Sequence, residues 1–250
     1  MKKILVLALL FIYQLVSAQN AYDIFANANS LYKEGKYEEA VSLYKQIEAL
    51  DKVSSELYFN LGNCYYKLNK VAPTIYNYEK ALQLDPLNQD AQNNLVFAKR
   101  LTLDRIEALP KSVFQKFNEN FLQKFTYNTW AIFCVLLSVI ASILFLLFYF
   151  SYNSTQKRIY FTTSILSFIA LISALTITYN QYNQAKNNIE AIIFSEEVSI
   201  KNAPTSNAEE VFTLHEGTKV KVVDTVDDWK KIKLIDGKIG WIVSKYLKEL

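Results

Sequence analysis

"TWAIFCVLLSVIASILFLLFYF" (129–150) and "IYFTTSILSFIALISALTITY" (159–179) flank the polar bead "SYNSTQKR" (151–158), and this trio decides the architecture. Each run is about twenty residues long, enough to cross roughly 30 Å of hydrocarbon as a helix. Neither contains Asp, Glu, Lys or Arg, and neither shows the polar stripe that a helix buried in a soluble domain keeps for water. Tyr127, Trp130, Tyr149 and Tyr152 stand near the ends of the first run, and Tyr160, Tyr179 and Tyr182 near those of the second, where interfacial aromatics belong. The expectation is transmembrane helix 1 over 130–150, a loop over 151–158 and transmembrane helix 2 over 159–179.

A third apolar stretch opens the chain. Lys2 and Lys3 precede ILVLALLFIY, and Val16-Ser17-Ala18 sets small residues before Gln19, the pattern of a signal peptide spanning 1–18. Export of the segment beyond Gln19 makes the first span run outside to inside, so the bead becomes a cytoplasmic loop. Lys157 and Arg158 in that bead agree with the positive-inside rule. The expected location is the bacterial inner (cytoplasmic) membrane, with both soluble domains periplasmic.

Composition excludes several functions. The formal charge of +3 falls to +1 when Lys2 and Lys3 leave with the signal, so nothing asks for nucleic acid. The single histidine, His215, and five glycines leave no Ser-His-Asp set, no His-rich metal site and no phosphate loop. The spans carry no ionisable group for an ion path. Cys64 and Cys134 belong to different environments and read as small buried hydrophobes. The expectation is no enzyme, no catalytic residue, no metal and no cofactor.

Residues 21–109 carry an internal repeat. An offset of 34 pairs Ala28 with Gly62, Leu31 with Tyr65, Val41 with Ile75, Tyr44 with Tyr78 and Ile47 with Ala81. "LYFNLGNCYYKLNKVAPTIYNYEKALQLDP" (57–86) resembles the tetratricopeptide pattern at Leu61-Gly62, Tyr65, Tyr78, Ala81 and Pro86. It departs from that pattern at Thr74, where Ala is usual, and at Asn69, where Gly often sits. Two repeats are expected, with 89–109 as a capping helix that ends before Pro110. Helical spacing groups Tyr22, Phe25, Asn29 and Tyr32, and likewise Phe59, Asn63 and Tyr66. These seven are the candidate partner-binding groove, with Asn29 and Asn63 supplying amide donors. The same aromatics suit packing between repeats equally well.

Between repeats and spans, "KSVFQKFNENFLQKF" (111–125) gathers Phe114, Phe117, Phe121, Leu122 and Phe125 on one helical face. That pattern fits an amphipathic interfacial helix, or a helix packed on the repeat cap.

The last sixty residues change to alternation and turns. "TKVKVVDTVDDWKKIKLIDGKIGWIV" (218–243) reads as three short strands, broken at 225–228 and at Asp236-Gly237. The Ala-Pro loop, the L-x-x-G-x-x-V stretch, the Trp that opens a strand and the DG-x-x-GW ending resemble the bacterial SH3 domain. A small all-β barrel is therefore expected over 190–250. Trp229 is out of phase with Ile232 and Leu234, so it points away from their face. Trp229, with Tyr246 as neighbour, is the candidate ligand-binding site, and covering of a sheet edge is the alternative. Trp241, in phase with Ile239 and Val243, reads as core.

The complete order is that of a multidomain membrane protein: α-helical tetratricopeptide repeats, a two-helix transmembrane hairpin and an SH3-like barrel. It resembles the BatE-type tetratricopeptide proteins of the Bacteroides aerotolerance (Bat) operon group. That resemblance implies an envelope complex for stress or oxygen tolerance, with membrane-anchored von Willebrand A-domain Bat proteins and a MoxR-type ATPase as partners. The function expected is a non-enzymatic scaffold; the alternative is a cell-wall sensor or anchor that binds peptidoglycan.

Overall fold

A computed structural model describes residues 21–250; the expected signal peptide lies outside the described residues. The chain divides into two compact units. The first joins the described residues up to Leu84 with Asn88–Leu109 and Glu190–Leu250, and the second holds Asp85–Leu87 and Pro110–Ile189.

The first unit begins with five helices: α1 (residues 21–33), α2 (Tyr37–Ala49), α3 (Ser55–Lys67), α4 (Val71–Leu84) and α5 (Gln89–Ala98). The 34-residue period recurs in the backbone. Gly35 turns α1 into α2 at φ +80°, and Asn69 turns α3 into α4 at φ +56°. Asn tolerates the left-handed region better than other residues with a Cβ, so the departure at Asn69 preserves the turn. Thr74 is fully buried in α4, and its hydroxyl donates to the Lys70 carbonyl at 2.6 Å. That bond lets Thr occupy a slot usually filled by Ala. Pro73 is the third residue of α4, where the missing N–H costs little. Ser54 and Asn88 cap α3 and α5 through the N–H groups of Leu57 and Ala91.

Close packing depends on small residues. A Cβ at Gly62 would stand 2.5 Å from the ring of Tyr78, which is itself buried. Ala28, the residue one period earlier, is likewise fully buried.

The same unit closes with seven strands: β1 (Ile189–Ile193), β2 (Glu197–Lys201), β3 (Glu210–His215), β4 (Lys219–Val226), β5 (Trp229–Lys233), β6 (Ile239–Val243) and β7 (Leu247–Glu249). They form one sheet in the order β3-β2-β6-β5-β4-β1-β7. Its core gathers Ile193, Ile200, Leu214, Val220, Ile232 and Ile242 among others. The sequence pattern announces three of these strands, β4 to β6. It does not pick out the others, and β2 and β3 are separated by the loop that contains Pro204.

The expected capping helix over 89–109 requires correction. Regular helix stops at Ala98, a 3-10 turn covers Lys99–Leu101, and residues 102–109 form a strap without helix or strand. The strap belongs to the barrel: Ile106 packs on its core cluster, and Leu109 N–H donates to the Ile235 carbonyl at 3.3 Å. Tertiary contact, rather than local propensity, sets its conformation.

The second unit contains α6 (Val113–Phe117), a π-helical turn (Asn118–Leu122), α7 (Tyr127–Phe150) and α8 (Ser154–Asn187). The interfacial helix expected over 111–125 is therefore two short pieces. Ser112 and Gln115 form a capping box at the start. The wider turn then carries Leu122 to the base of the hairpin, where its carbonyl accepts from Trp130 Nε1 and Gln181 Nε2. Phe114, Phe117 and Phe121 stay exposed, whereas Phe125 packs edge-on against Trp130 and Phe133.

Both α7 and α8 are long and apolar enough to cross a membrane. Cys134 and Ala174 are their only buried residues, with Cys134 Sγ 3.6 Å from Thr178 Oγ1. The expected eight-residue loop shrinks to Ser151–Asn153, because the Asn153 side chain caps α8 through Thr155 and Gln156 N–H. Likewise α8 continues past residue 179 to Asn187, since YNQYNQAKN contains neither Pro nor Gly.

Gly62→Ala should lower the stability of the repeats by about 1–3 kcal/mol through overpacking against Tyr78. Chemical denaturation followed by far-UV circular dichroism checks it; an unchanged midpoint would show that the ring has room.

Candidate functional site

The repeats build a polar ladder that joins the candidate residues Asn29 and Asn63 to the neighbouring helices. Tyr44 hydroxyl donates to Asn29 Oδ1, and Asn60 Nδ2 donates to the same oxygen at 3.1 Å. One period later Tyr78 hydroxyl donates to Asn63 Oδ1 at 2.7 Å, and Asn94 Nδ2 donates to that oxygen at 2.9 Å. Each rung fixes one amide orientation by engaging its oxygen twice. The Nδ2 groups of Asn29 and Asn63 are thereby held in a single direction, as donors. Tyr44, Asn60 and Asn94 are absent from the groove that helical spacing predicts, although the 34-residue offset links Asn29 with Asn63, Tyr44 with Tyr78 and Asn60 with Asn94.

Six of the seven candidate groove residues divide between two cavities. Tyr22, Phe25 and Asn29 line a cavity of about 430 Å³ with Ile47 and Leu57. Tyr32, Asn63 and Tyr66 line another of about 200 Å³ with Lys67, Tyr78 and Phe97. Phe59 lines neither: it packs on two core clusters and against Tyr78, with ring centroids 6.1 Å apart. Phe25 is also partly buried, edge-on to Tyr44 at 5.6 Å. Of the two readings offered for the aromatics, Phe59 follows packing, while Tyr22 and Tyr66 remain exposed. Cys64 lies beneath, its thiol pushed up to about 12 by burial, which leaves it unreactive.

A second arrangement joins repeats to barrel. Asp104 in the strap accepts from His215 N–H at 2.8 Å and from Thr218 Oγ1 at 2.6 Å, and lies 2.7 Å from His215 Nδ1. In α4, Glu79 Oε2 accepts from Lys219 Nζ at 2.9 Å, and its other oxygen meets Lys99 Nζ at 2.8 Å. Lys219 also pairs with Glu190 at 2.7 Å. Tyr76 packs edge-on to Phe194, and Gly217, at φ +84°, lies where a Cβ would meet Ile75, Thr102 and Val71 within 3.0 Å. Burial pushes the Glu79 carboxyl up, but Lys219 and Lys99 outweigh it and hold the group below its ordinary value. Burial opposes ionisation of Asp104 too, and bonds from Thr218 and His215 reverse the balance. His215 is thus a structural residue that docks the strap.

On the barrel, β5 contains no irregularity, and Trp229 faces away from Ile232 as parity requires. Tyr246 is half-buried and packs on the core cluster under Lys245 Nζ. Trp241 is buried, though it lies on the face opposite Ile242 and outside the main core cluster. Lys231 Nζ sits 5.7 Å from its ring centre. No group of three metal-ligating side chains occurs among the described residues.

Comparison with known families agrees with both halves of this unit. The model described as tetratricopeptide repeat matches 55–88, the TPR repeat model matches 28–69, and the bacterial SH3 domain model matches 196–248. The chain carries tetratricopeptide repeats and a bacterial SH3 domain. No curated protein matches it.

Because Glu79 and Asp104 ionise more readily in the folded unit than in the unfolded chain, their contribution is complete above the ordinary carboxylate range, about 4. It is lost as pH falls through and below that range. Glu79→Gln should cost about 3 kcal/mol at pH 7 by leaving Lys219 and Lys99 short of a partner. Glu79→Gln/Asp104→Asn should flatten the decline in stability between pH 6 and pH 3. Hydrogen exchange of α4 and β4 across that range reads both effects, and a double variant with the wild-type pH slope would assign the acid sensitivity elsewhere.

Proposed function

We propose that this protein is a non-enzymatic membrane-anchored adaptor, whose hairpin holds the joined repeats and barrel on the periplasmic side of the inner membrane. Helices α7 and α8 supply the anchor. About 36 Å and 51 Å long at 1.5 Å per residue, they leave their apolar side chains uncovered, which a soluble domain would bury.

The observation that carries the reading is the docking of Asp104, before the hairpin, onto His215 and Thr218, after it. The Glu79–Lys219 pair repeats the same connection. Groups in contact share one side of a bilayer, so an even number of crossings between them is needed, which a two-helix hairpin gives. The signal-like start and the Lys157-Arg158 bead favour the outer side. Tetratricopeptide repeats and bacterial SH3 domains are recognition modules, and the ladder supplies fixed amide donors. The order of elements resembles the BatE type, whose setting makes von Willebrand A-domain Bat proteins and a MoxR-type ATPase system the expected partners. Attachment to peptidoglycan is the second reading, favoured by the outward-facing Trp229 of the SH3 domain.

Ser30→Cys and Ser206→Cys, each in a Cys64→Ala/Cys134→Ala background, should react with a membrane-impermeant thiol reagent in intact spheroplasts, and Ser154→Cys only after lysis. The opposite pattern overturns the orientation, and labelling of all three in intact cells overturns the membrane anchor. Incubating the full chain in detergent with purified sacculi separates the two readings, since a protein adaptor stays in the supernatant.

A further inference from the structure

The outer face of β4, β5 and β6 carries a pattern that neither module name accounts for. Residues paired directly across antiparallel strands share a face, so register gives its composition. Trp229 lies between Val226 and Val243, Lys231 lies beside Trp241, and Lys233 lies between Lys221 and Ile239. Lys201 joins through its pairing with Trp241. Ile232 and Leu234 point the other way, into the core.

Charge on this face is mostly positive. Lys201, Lys221, Lys231 and Lys233 share it with two carboxylates: Glu210, paired with Lys201 on β3, and Asp224, paired with Lys231 and accepting from the N–H of its own neighbour Thr225 at 2.8 Å. Lys221 and Lys233 stand directly opposite each other, a like-charge arrangement that destabilises a sheet. Beyond them lies a cleft of about 780 Å³ that Arg105 and Asp104 of the strap and Glu190 also line. Val226 and Ile239 are 40% and 46% exposed on the same face. Cations thus stand beside apolar side chains on this face.

We propose that this face binds an extended acidic segment of a partner protein, with carboxylates on Lys231 and Lys233 and an apolar side chain on Trp229. Spacing selects the occupant. Trp229, Lys231 and Lys233 project at two-residue intervals along β5, about 7 Å apart. Alternate side chains of another extended chain recur at the same distance, so an apolar residue followed by acids at the second and fourth places beyond it fits in one register. An anionic bilayer has no such period. The proposal rests on the adaptor reading and names the chemistry of one partner.

The test uses the full chain in detergent micelles and fluorescence anisotropy. One labelled peptide has Leu followed by Glu at the second and fourth places beyond it, with Ser between; a second has Gln in place of both Glu residues; a third has both Glu residues adjacent. The first should bind at least tenfold tighter than the other two and weaken with salt. Lys231→Glu/Lys233→Glu should weaken it at least tenfold and create binding of a Lys-bearing counterpart. Trp229→Ala should weaken it severalfold at an unchanged salt dependence. Equal binding of the Glu and Gln peptides, or full retention by the charge-reversed variant with native circular dichroism, overturns the proposal. So does capture by phosphatidylglycerol vesicles without binding of the peptide, which would make the face a lipid contact. None of these failures alters thiol labelling in spheroplasts, so loss of this site and loss of the adaptor reading are separable.

Discussion

One carboxylate organises the first unit. Asp104 sits on a strap that local propensity would leave undecided, and it receives a backbone N–H, a hydroxyl and an imidazole contact from the turn between β3 and β4. With Ile106 beside it in the barrel's core cluster, the strap belongs more to the β-domain than to the helices it continues. Glu79 adds a second tie from α4, matched by Lys99 and Lys219 on its two oxygens. Charges this withdrawn from water are retained only when paired. The result is a single compact unit assembled from three stretches of chain, with eighty residues between Leu109 and Glu190.

That assembly bears on how the modules work. Tethered domains gain effective concentration but keep independent orientations. A packed pair presents its surfaces in fixed relation and gives up the area buried between them. Gly217 illustrates the constraint: its positive φ serves the turn, and the space where a side chain would start is occupied by Ile75, Thr102 and Val71. An SH3 domain cut away from residue 190 onward would lose Ile106, Asp104 and its contacts with α4, so the full chain is the proper object for binding studies.

Inside the repeats, hydrogen bonds do what aromatic packing alone would not. Buried aromatics give cohesion without direction. The Asn–Tyr rungs add direction, since each amide oxygen accepts twice and each amide nitrogen is thereby oriented. Phe25 and Phe59, which helical spacing offers as contact residues, also pack against the rungs' tyrosines.

Much was legible from the sequence because it depends on local periodicity. The 34-residue offset announced the helical pairs; the two uncharged runs announced the long helices; strand parity put Trp229 on the face opposite Ile232. These follow from geometry within a few residues or one repeat. The end of α5, the broken helix at 113–122 and the packing role of Tyr246 did not follow, because distant partners set each of them; the short turn at 151–153 is set locally, by the Asn153 cap. A hydrogen bond from β3 or α8 outweighs the small preference of a few residues for helix or coil. Only the folded chain, by bringing residue 104 to residue 215, decided that repeats and barrel are one unit.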